Sequence, residues 1–105
     1  MAQFDVYQNP SQNTRNAFPY LIDIQTPAIS DIATRIVIPL GRLQNFKNTS
    51  MNNLTPEIEY DGEKFLLLTP QIASIRSKTL CDPIGSLEHF RDEIIAVIDF
   101  AITGI

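Results

Sequence analysis

The chain contains few of the residues on which small proteins rely for cross-links and for chemistry. Its 105 residues include one cysteine, Cys81, and one histidine, His89. One cysteine cannot form an internal disulfide, and this pair does not supply the spaced ligands of a zinc site. We therefore expect no metal and no cofactor. A chain of this length buries roughly 65% of the surface that its unfolded form exposes, which is enough for an apolar core without cross-links.

Charge of one sign and long apolar runs are scarce as well. The 8 basic and 12 acidic residues give a net charge of −4 and form no block of like charges, so a surface field that traps phosphate is not expected. The longest apolar-rich run, residues 94–102, is about half of the roughly 20 residues that span a bilayer. Residues 1–7 lack the basic head and apolar stretch of a signal peptide. We expect one soluble, cytoplasmic domain over residues 1–105, with no membrane contact.

No arrangement of residues predicts catalysis. No glycine-rich loop follows a predicted strand, so a phosphate cradle of the P-loop or dinucleotide kind is not expected. His89 stands alone near the start of a predicted helix, where a solvated surface residue is the usual interpretation. Arg35 and Arg42 bracket an apolar strand and could hold a phosphate, but ordinary surface charges are the expected role. Four carboxylates around a predicted hairpin are interpreted as a solvated strand face rather than a general-acid pair: Glu57, Glu59, Asp61 and Glu63.

Alternation of apolar and polar residues predicts several short strands. They lie around residues 3–7, 20–25, 36–38, 58–60 and 65–68. Pro39 closes the third of these runs, so we expect that strand to end there. Asp61-Gly62 separates the last two runs and predicts a tight hairpin, since both turn positions of a type I′ turn need positive φ. Two polar stretches, residues 8–16 and 44–53, are predicted loops.

The C-terminal part of the chain changes to a helical period. Its apolar residues fall at steps of three and four: Leu87, Phe90, Ile94, Val97, Ile98, Ala101 and Ile102. Ser86 can cap this helix, and Glu88 places negative charge in its first turn. Residues 94–102 are apolar on nearly every side, and one sheet cannot cover both faces. We expect a second copy of the chain to cover the other face across a two-fold axis, through Ile98, Ala101 and Ile102; loops of the same chain are the alternative.

Composition and periodicity thus predict a small β-rich domain with a C-terminal helix, but they predict no function. Several segments resemble those of the CcdB toxin family in the same order and at nearly the same spacing, over essentially the whole chain. They are Gln3-Phe4-x-Val6-Tyr7, Asp23-x-Gln25, Arg35-x-Val37-Ile38-Pro39-Leu40, Leu67-Leu68-Thr69 with Ala73-Ser74, the helix with Leu87, His89, Ile94 and Ile98, and the terminal Gly104-Ile105. Each segment alone is unspecific, whereas the set in register is specific.

The resemblance implies a CcdB/PemK-like fold and a function. The fold is mainly β with one C-terminal α-helix: an SH3-type barrel of antiparallel strands, a small three-stranded sheet, and a homodimer. The function is that of a toxin of a type II toxin–antitoxin system, which binds the A subunit of DNA gyrase and traps it on cleaved DNA without chemistry of its own. Thr103 stands where the family carries an aromatic anchor. The residues implied for gyrase binding are Ile29, Ser30, Arg91, Asp92, Asp99, Thr103, Gly104 and Ile105.

A CcdA-like antitoxin is the second partner that the resemblance implies. Its disordered tail would fold onto the toxin, and the pair would regulate its own operon. DNA would be contacted only indirectly, through the antitoxin or gyrase, because a chain of net charge −4 is poorly suited to read DNA. The residues expected to take part in antitoxin binding are Gln8, Asn9, Arg15, Arg42 and Leu43.

Two alternatives of other classes stay open. A ribonuclease toxin of the PemK/MazF kind shares the implied fold, and fold alone does not fix function. Such an enzyme would need Arg35, Arg42 and His89 in a positively charged cleft. The second alternative is a structural or chaperone-binding module without toxicity.

Overall fold

The computed structural model describes residues 2–26, 33–46 and 54–104, and within them an antiparallel sheet is followed by a helix. The strands are β1 (Asp5–Gln8), β2 (Tyr20–Asp23), β3 (Thr34–Arg42), β4 (Glu57–Tyr60), β5 (Glu63–Leu67), β6 (Ala73–Arg76) and β7 (Gly85–Ser86), and the helices are α1 (Leu43–Phe46) and α2 (Arg91–Thr103). The strands lie in the order β4-β5-β3-β2-β1-β7, and β6 also pairs with β3. The mainly β fold with a C-terminal helix is thus confirmed.

β3 is longer than predicted because it continues through Pro39. β2 pairs along one side of it, while β6 pairs with residues 34–37 and β5 with residues 40–42 on the other side. The Pro39 carbonyl accepts the N–H of Leu68 at 3.0 Å, in the gap between β6 and β5. The N–H that proline lacks would point to the same side as this carbonyl, so no ladder bond is lost. The predicted strand end at Pro39 is therefore wrong.

β4 and β5 form the hairpin that Asp61-Gly62 predicts. These two residues have φ values of 53° and 77°, the positive values that a type I′ turn requires. The hairpin and β3 together form a three-stranded section, β4-β5-β3, which is continuous with the rest of the sheet. The carboxylates around the turn are exposed, which confirms the solvated strand face: Glu57, Glu59, Asp61 and Glu63.

The sheet curls and brings its two edge strands, β4 and β7, close enough for a side-chain contact between their ends. Tyr60, at the end of β4, donates its hydroxyl to the carbonyl of Ile84 at 3.3 Å, just before β7. A Cβ on Gly85 would overlap the Tyr60 hydroxyl, so the missing side chain leaves room for the tyrosine. Tyr20 packs edge-on against Tyr60 with 5.2 Å between ring centroids. The result is a half-barrel whose two edges are linked by the side chain of Tyr60.

One face of the sheet packs against α2 and forms the main core. Val6, Ile22 and Ile38 are neighbours on three adjacent strands, and Ile94 and Val97 of α2 belong to the same buried cluster. Burying each of these side chains stabilises the fold by about 1.5–3 kcal/mol. This core fixes the axis of α2 and therefore determines which helix faces are open to partners.

α2 begins later than the periodicity predicts. Ser86 Oγ accepts the N–H of Glu88 at 3.1 Å, as expected of a cap, but the next turn, Glu88–Phe90, is a 3-10 helix and the α-helix starts at Arg91. It ends at Gly104, whose φ of 73° forms the left-handed stop that glycine allows. No helix within the described ranges is long and apolar enough to cross a membrane.

The second predicted loop starts with a turn of helix, so the loop prediction is wrong for residues 44–46. Residues 47–53 lie outside the described residues, but Leu43–Phe46 forms α1. Phe46 packs on Phe18 of the first loop with 5.3 Å between ring centroids. A Cβ on Gly41 would lie 2.7 Å from the Phe46 ring. Aromatic packing between two loops, which an Asn-rich sequence does not signal, stabilises this turn.

Gly85→Ala tests the closure of the half-barrel. Its methyl group would overlap the Tyr60 hydroxyl, and overpacking of this kind costs about 1–3 kcal/mol of unfolding free energy. In a Tyr60→Phe background the same change should cost less, because the overlapping oxygen is gone. Urea unfolding of the two single variants and the double variant measures this coupling. Equal costs in both backgrounds would contradict the assigned contact.

Candidate interaction surfaces

An exposed face of α2 carries most of the described residues that the resemblance assigns to gyrase. Asp92, Asp99 and Thr103 are separated by seven and four residues, which places them in a stripe about 40° wide on a helix of 3.6 residues per turn. All three are exposed, and so is Ala96, which follows Asp92 by four residues and widens the stripe to about 60°. Residue type alone does not predict Ala96 as part of this surface, because alanine has no functional group. Its spacing of four residues from Asp92 is the signal that could have identified it. We call these four residues the acidic stripe.

The stripe leads to the end of the helix. Thr103 Oγ1 donates to the carbonyl of Asp99 at 2.6 Å, so this side chain folds back onto the last turn, and Gly104 beyond it is exposed. At the other end, Arg91 Nη1 lies 3.6 Å from Asp92 Oδ1, and both side chains are exposed. The other residues assigned to gyrase lie outside the described residues: Ile29, Ser30 and Ile105.

Beside the acidic stripe, α2 presents an apolar flank that the protomer leaves partly open. Ile95 and Ile98 are half-buried against the main core, whereas Ile102, on the same flank, is 70% exposed. Ala101 and Phe100 are also exposed. Within the described protomer the apolar second half of the helix is thus covered on one side only. We call Ile95, Ile98 and Ile102 the apolar flank.

A cavity of about 650 Å³ brings together three of the residues predicted to bind the antitoxin, Gln8, Arg15 and Arg42. Arg15 donates from Nε to the carbonyl of Asn9 at 2.8 Å, and Arg42 donates from Nε to the carbonyl of Asn16 at 3.0 Å. Both arginines therefore hold the first loop as well as lining the cavity. We call this the first-loop cavity; Tyr20 and Ile84 add apolar surface to it.

The other two residues predicted for antitoxin binding have different positions. Asn9 is 6% exposed, and its amide donates to Thr14 Oγ1 at 3.0 Å and to the carbonyl of Phe18 at 2.8 Å, so its side chain organises the first loop. Leu43 is half-buried at the start of α1, directly after Arg42.

Arg35 is not the surface charge that the sequence predicts. It is 1% exposed, and its guanidinium lies 2.7 Å from Asp23 Oδ2. The other carboxylate oxygen of Asp23 accepts the N–H of Gln25 at 3.0 Å. The pair is buried because the second face of the sheet is also covered, by a small cluster around Tyr7 and Leu80. Arg42, by contrast, is partly exposed and lies 2.7 Å from Glu63 Oε2.

Burial changes the acid–base behaviour of this second face. Desolvation raises the pKa of the Asp23 carboxyl, and the hydrogen bonds from Gln25 and Arg35 oppose that change. Desolvation, together with the negative charges of Asp5 and Asp23, raises the pKa of Tyr7 from 10.0 to about 12. The Tyr7 hydroxyl and Arg35 Nη1 have no hydrogen-bond partner among the described residues.

The side chains with potential chemistry are dispersed. His89 is exposed on the 3-10 turn with its ring 4.4 Å from that of Phe90, and Cys81 is exposed and free. No group of three or more His, Cys, Asp or Glu side chains in the described parts of the chain could hold a metal ion. The exposed stripe, the apolar flank and the cavity are surfaces suited to binding macromolecules.

A curled antiparallel sheet, a packed C-terminal helix and exposed surfaces define a small, mainly β domain suited to binding other macromolecules. The sequence model of the family described as CcdB protein matches residues 3–104 of the chain. The protein belongs to the CcdB family. This family supplies toxins of toxin–antitoxin systems, and its toxins are in general not enzymes.

Tyr7→Phe tests the environment of the second face. Above pH 10.0 the unfolded chain ionises this tyrosine while the folded chain, with a pKa of about 12, does not. Its contribution to stability is therefore complete below pH 10.0 and is lost as the pH rises towards 12. Urea unfolding over this range should show a smaller loss for Tyr7→Phe than for wild type, whereas Tyr20→Phe, which keeps Tyr7, should follow wild type. Identical pH profiles of all three proteins would contradict the buried phenol.

Proposed function

We propose that the protein poisons DNA gyrase by binding its A subunit and holding the enzyme on cleaved DNA. The observation that carries this proposal is the exposed acidic stripe, which runs along α2 to the free helix end at Thr103 and Gly104. These positions match those that the family resemblance implies. Carboxylates on the exposed face of a helix suit a basic partner surface, such as that of an enzyme that holds DNA.

The proposed mechanism requires no chemistry from this chain, and the side chains available to a nuclease support that view. Arg35 is buried against Asp23 and cannot reach RNA. Arg42 is held by Glu63 and by a loop carbonyl. His89 is exposed on a separate turn beside Phe90, whereas acid–base cleavage needs an acid, a base and a free cation in one cleft. These positions favour a binding toxin over a ribonuclease of the PemK/MazF kind.

The apolar flank supports a homodimer with Ile98, Ala101 and Ile102 in its interface. Two of these residues are exposed in the protomer, and Ile98 links them to the main core. A two-fold axis beside α2 would cover the flank on both copies while the acidic stripe faces outwards.

The first-loop cavity supports binding of a CcdA-like antitoxin. Arginine side chains beside Tyr20 and Ile84 suit a segment in which acidic and apolar residues alternate. A disordered tail that folds on binding can reach such a cavity and a second surface at once. The proposed complex would repress its own operon and serve plasmid maintenance or a chromosomal equivalent. Because gyrase is a cytoplasmic enzyme, we expect the toxin to act in the cytoplasm.

Ala101→Glu tests the dimer. The residue is exposed in the protomer, so the change should leave protomer folding intact, but it would bury an unpaired carboxylate in the proposed interface. Sedimentation should show a dimer for wild type and a monomer for the variant, with similar circular dichroism. Ala96→Glu, on the acidic stripe, is the matched control and should remain dimeric. A wild type that sediments as a monomer at micromolar concentration would refute the interface.

Expression in cells with wild-type gyrase, and in cells whose gyrase is altered at the toxin-binding subunit, tests the target. Killing should disappear only in the altered strain.

Deleting residues 103–105 should abolish killing while folding and antitoxin binding persist, because residues at a helix end contribute little to stability. Thr103→Trp restores an aromatic anchor worth about 2 kcal/mol, so gyrase affinity should rise roughly 30-fold. Killing in both strains, accompanied by RNA breakdown, would support the nuclease instead.

A further inference from the structure

The end of β6 carries a basic patch that none of these surfaces uses. Arg76 is the last residue of β6, and Lys78 lies in the 3-10 turn that follows. With Ser77, and with Ala33 and Thr34 at the start of β3, they line an open cavity of about 470 Å³. Both basic side chains are exposed. We call these five residues the β6 patch.

The positive charge of the β6 patch is uncompensated within the described residues. Neither Arg76 nor Lys78 makes an ion pair there, and no described carboxylate lines the cavity. In a chain with a net charge of −4, this is a local excess of positive charge. Three other arginines have carboxylate partners: Arg35 with Asp23, Arg42 with Glu63, and Arg91 with Asp92.

The backbone beneath the patch is held in place. Arg76 pairs with Thr34 across the two strands, and the N–H of Ser77 donates to the carbonyl of Ala33 at 2.8 Å. Thr79 Oγ1 donates to the carbonyl of Arg76 at 2.7 Å. The cations and the hydroxyls of Thr34 and Ser77 are therefore presented from a fixed backbone and not from a free loop.

We propose that the β6 patch contacts the phosphate backbone of duplex DNA when the toxin–antitoxin complex is bound at its operator; this inference rests on the proposed function. Cations and hydroxyls are the donors that phosphate oxygens accept from proteins. A protein partner would need a buried aromatic or large apolar anchor, and among the described residues that line the patch Ala33 is the one apolar residue.

The patch does not make the toxin a DNA-binding protein by itself. Two phosphate contacts are few, and the remaining charge of the chain opposes them. An antitoxin that is already bound to DNA holds the toxin nearby and raises its effective concentration, so weak contacts then add to the affinity of the complex. The sequence predicts only indirect DNA contact through the antitoxin or gyrase. The proposed contact is direct, but it forms only while the antitoxin holds the toxin on the DNA.

The test compares wild type with Arg76→Gln, Lys78→Gln and the control Lys64→Gln, which removes an exposed cation from β5. Each toxin is purified in complex with its antitoxin, and anisotropy of a fluorescent operator duplex is measured over a series of salt concentrations. Each phosphate contact contributes about 0.9 to the slope of log affinity against log salt, so a dimer with either patch variant should lose about 2. Lys64→Gln should keep the wild-type slope.

The other outcomes separate the patch from the proposed function. Equal slopes for all four complexes would overturn the proposed DNA contact of the patch and would leave the proposed function unaffected. Patch variants that bind the antitoxin more weakly without DNA would also overturn it, because the patch would then belong to a protein interface. A wild-type complex that does not bind the duplex would overturn both the patch and the operon role, while the gyrase role is decided separately by killing.

Discussion

The nine residues of β3 carry the pairing of three other strands, and this constraint determines the rest of the structure. β2 occupies one side of β3, and β6 and β5 share the other. The changeover between those two partners is the place where Pro39 costs no hydrogen bond. Because Ile38 and Leu40 on one face meet the core beneath α2, the orientation of the helix also depends on this strand. The acidic stripe, the first-loop cavity and the β6 patch are thus all positioned relative to β3.

The buried pair of Arg35 and Asp23 follows from that arrangement. A strand with partners on both sides and cover on both faces leaves no route to solvent for its second residue, so the charge needs a partner on the adjacent strand. A buried pair contributes little net stability, since desolvation offsets most of the attraction. Its value here is geometric. It links the last residue of β2, Asp23, to the second residue of β3, Arg35. The sequence between these two strands includes the predicted gyrase contacts Ile29 and Ser30.

Local signals in the sequence predict the local parts of the fold. Asp61-Gly62 predicts its hairpin because both φ values are properties of the turn itself, and the period of the C-terminal residues predicts α2. The continuation of β3 through Pro39 and the burial of Arg35 could not be predicted in the same way, because both depend on strand register. Arg35 finds Asp23 only when β2 and β3 are paired, and from residue type alone an arginine is expected in solvent.

The candidate sites follow the same division. The acidic stripe is readable from sequence because Asp92, Asp99 and Thr103 obey helical spacing within one element. The first-loop cavity joins Arg15 to Arg42, and the β6 patch joins Arg76 to Thr34, across long stretches of chain. Their members can be named as charged residues, but their proximity comes from the sheet. The predicted contacts at Ile29, Ser30 and Ile105 remain predictions.

The net charge of −4 conceals how the two signs of charge are used. The carboxylates of the hairpin and of α2 lie mostly at the surface, whereas three of the seven basic residues that the structure describes, Arg15, Arg35 and Arg42, are held by Asp23, by Glu63 or by loop carbonyls. A cation that already serves the fold has less of its charge and fewer donors available for a partner. Partner choice therefore depends less on the total charge than on which cations the fold leaves unpaired. On this basis α2 suits basic partners, whereas Arg76 and Lys78 at the end of β6, which form no ion pair within the described residues, can accept an anion without first breaking one.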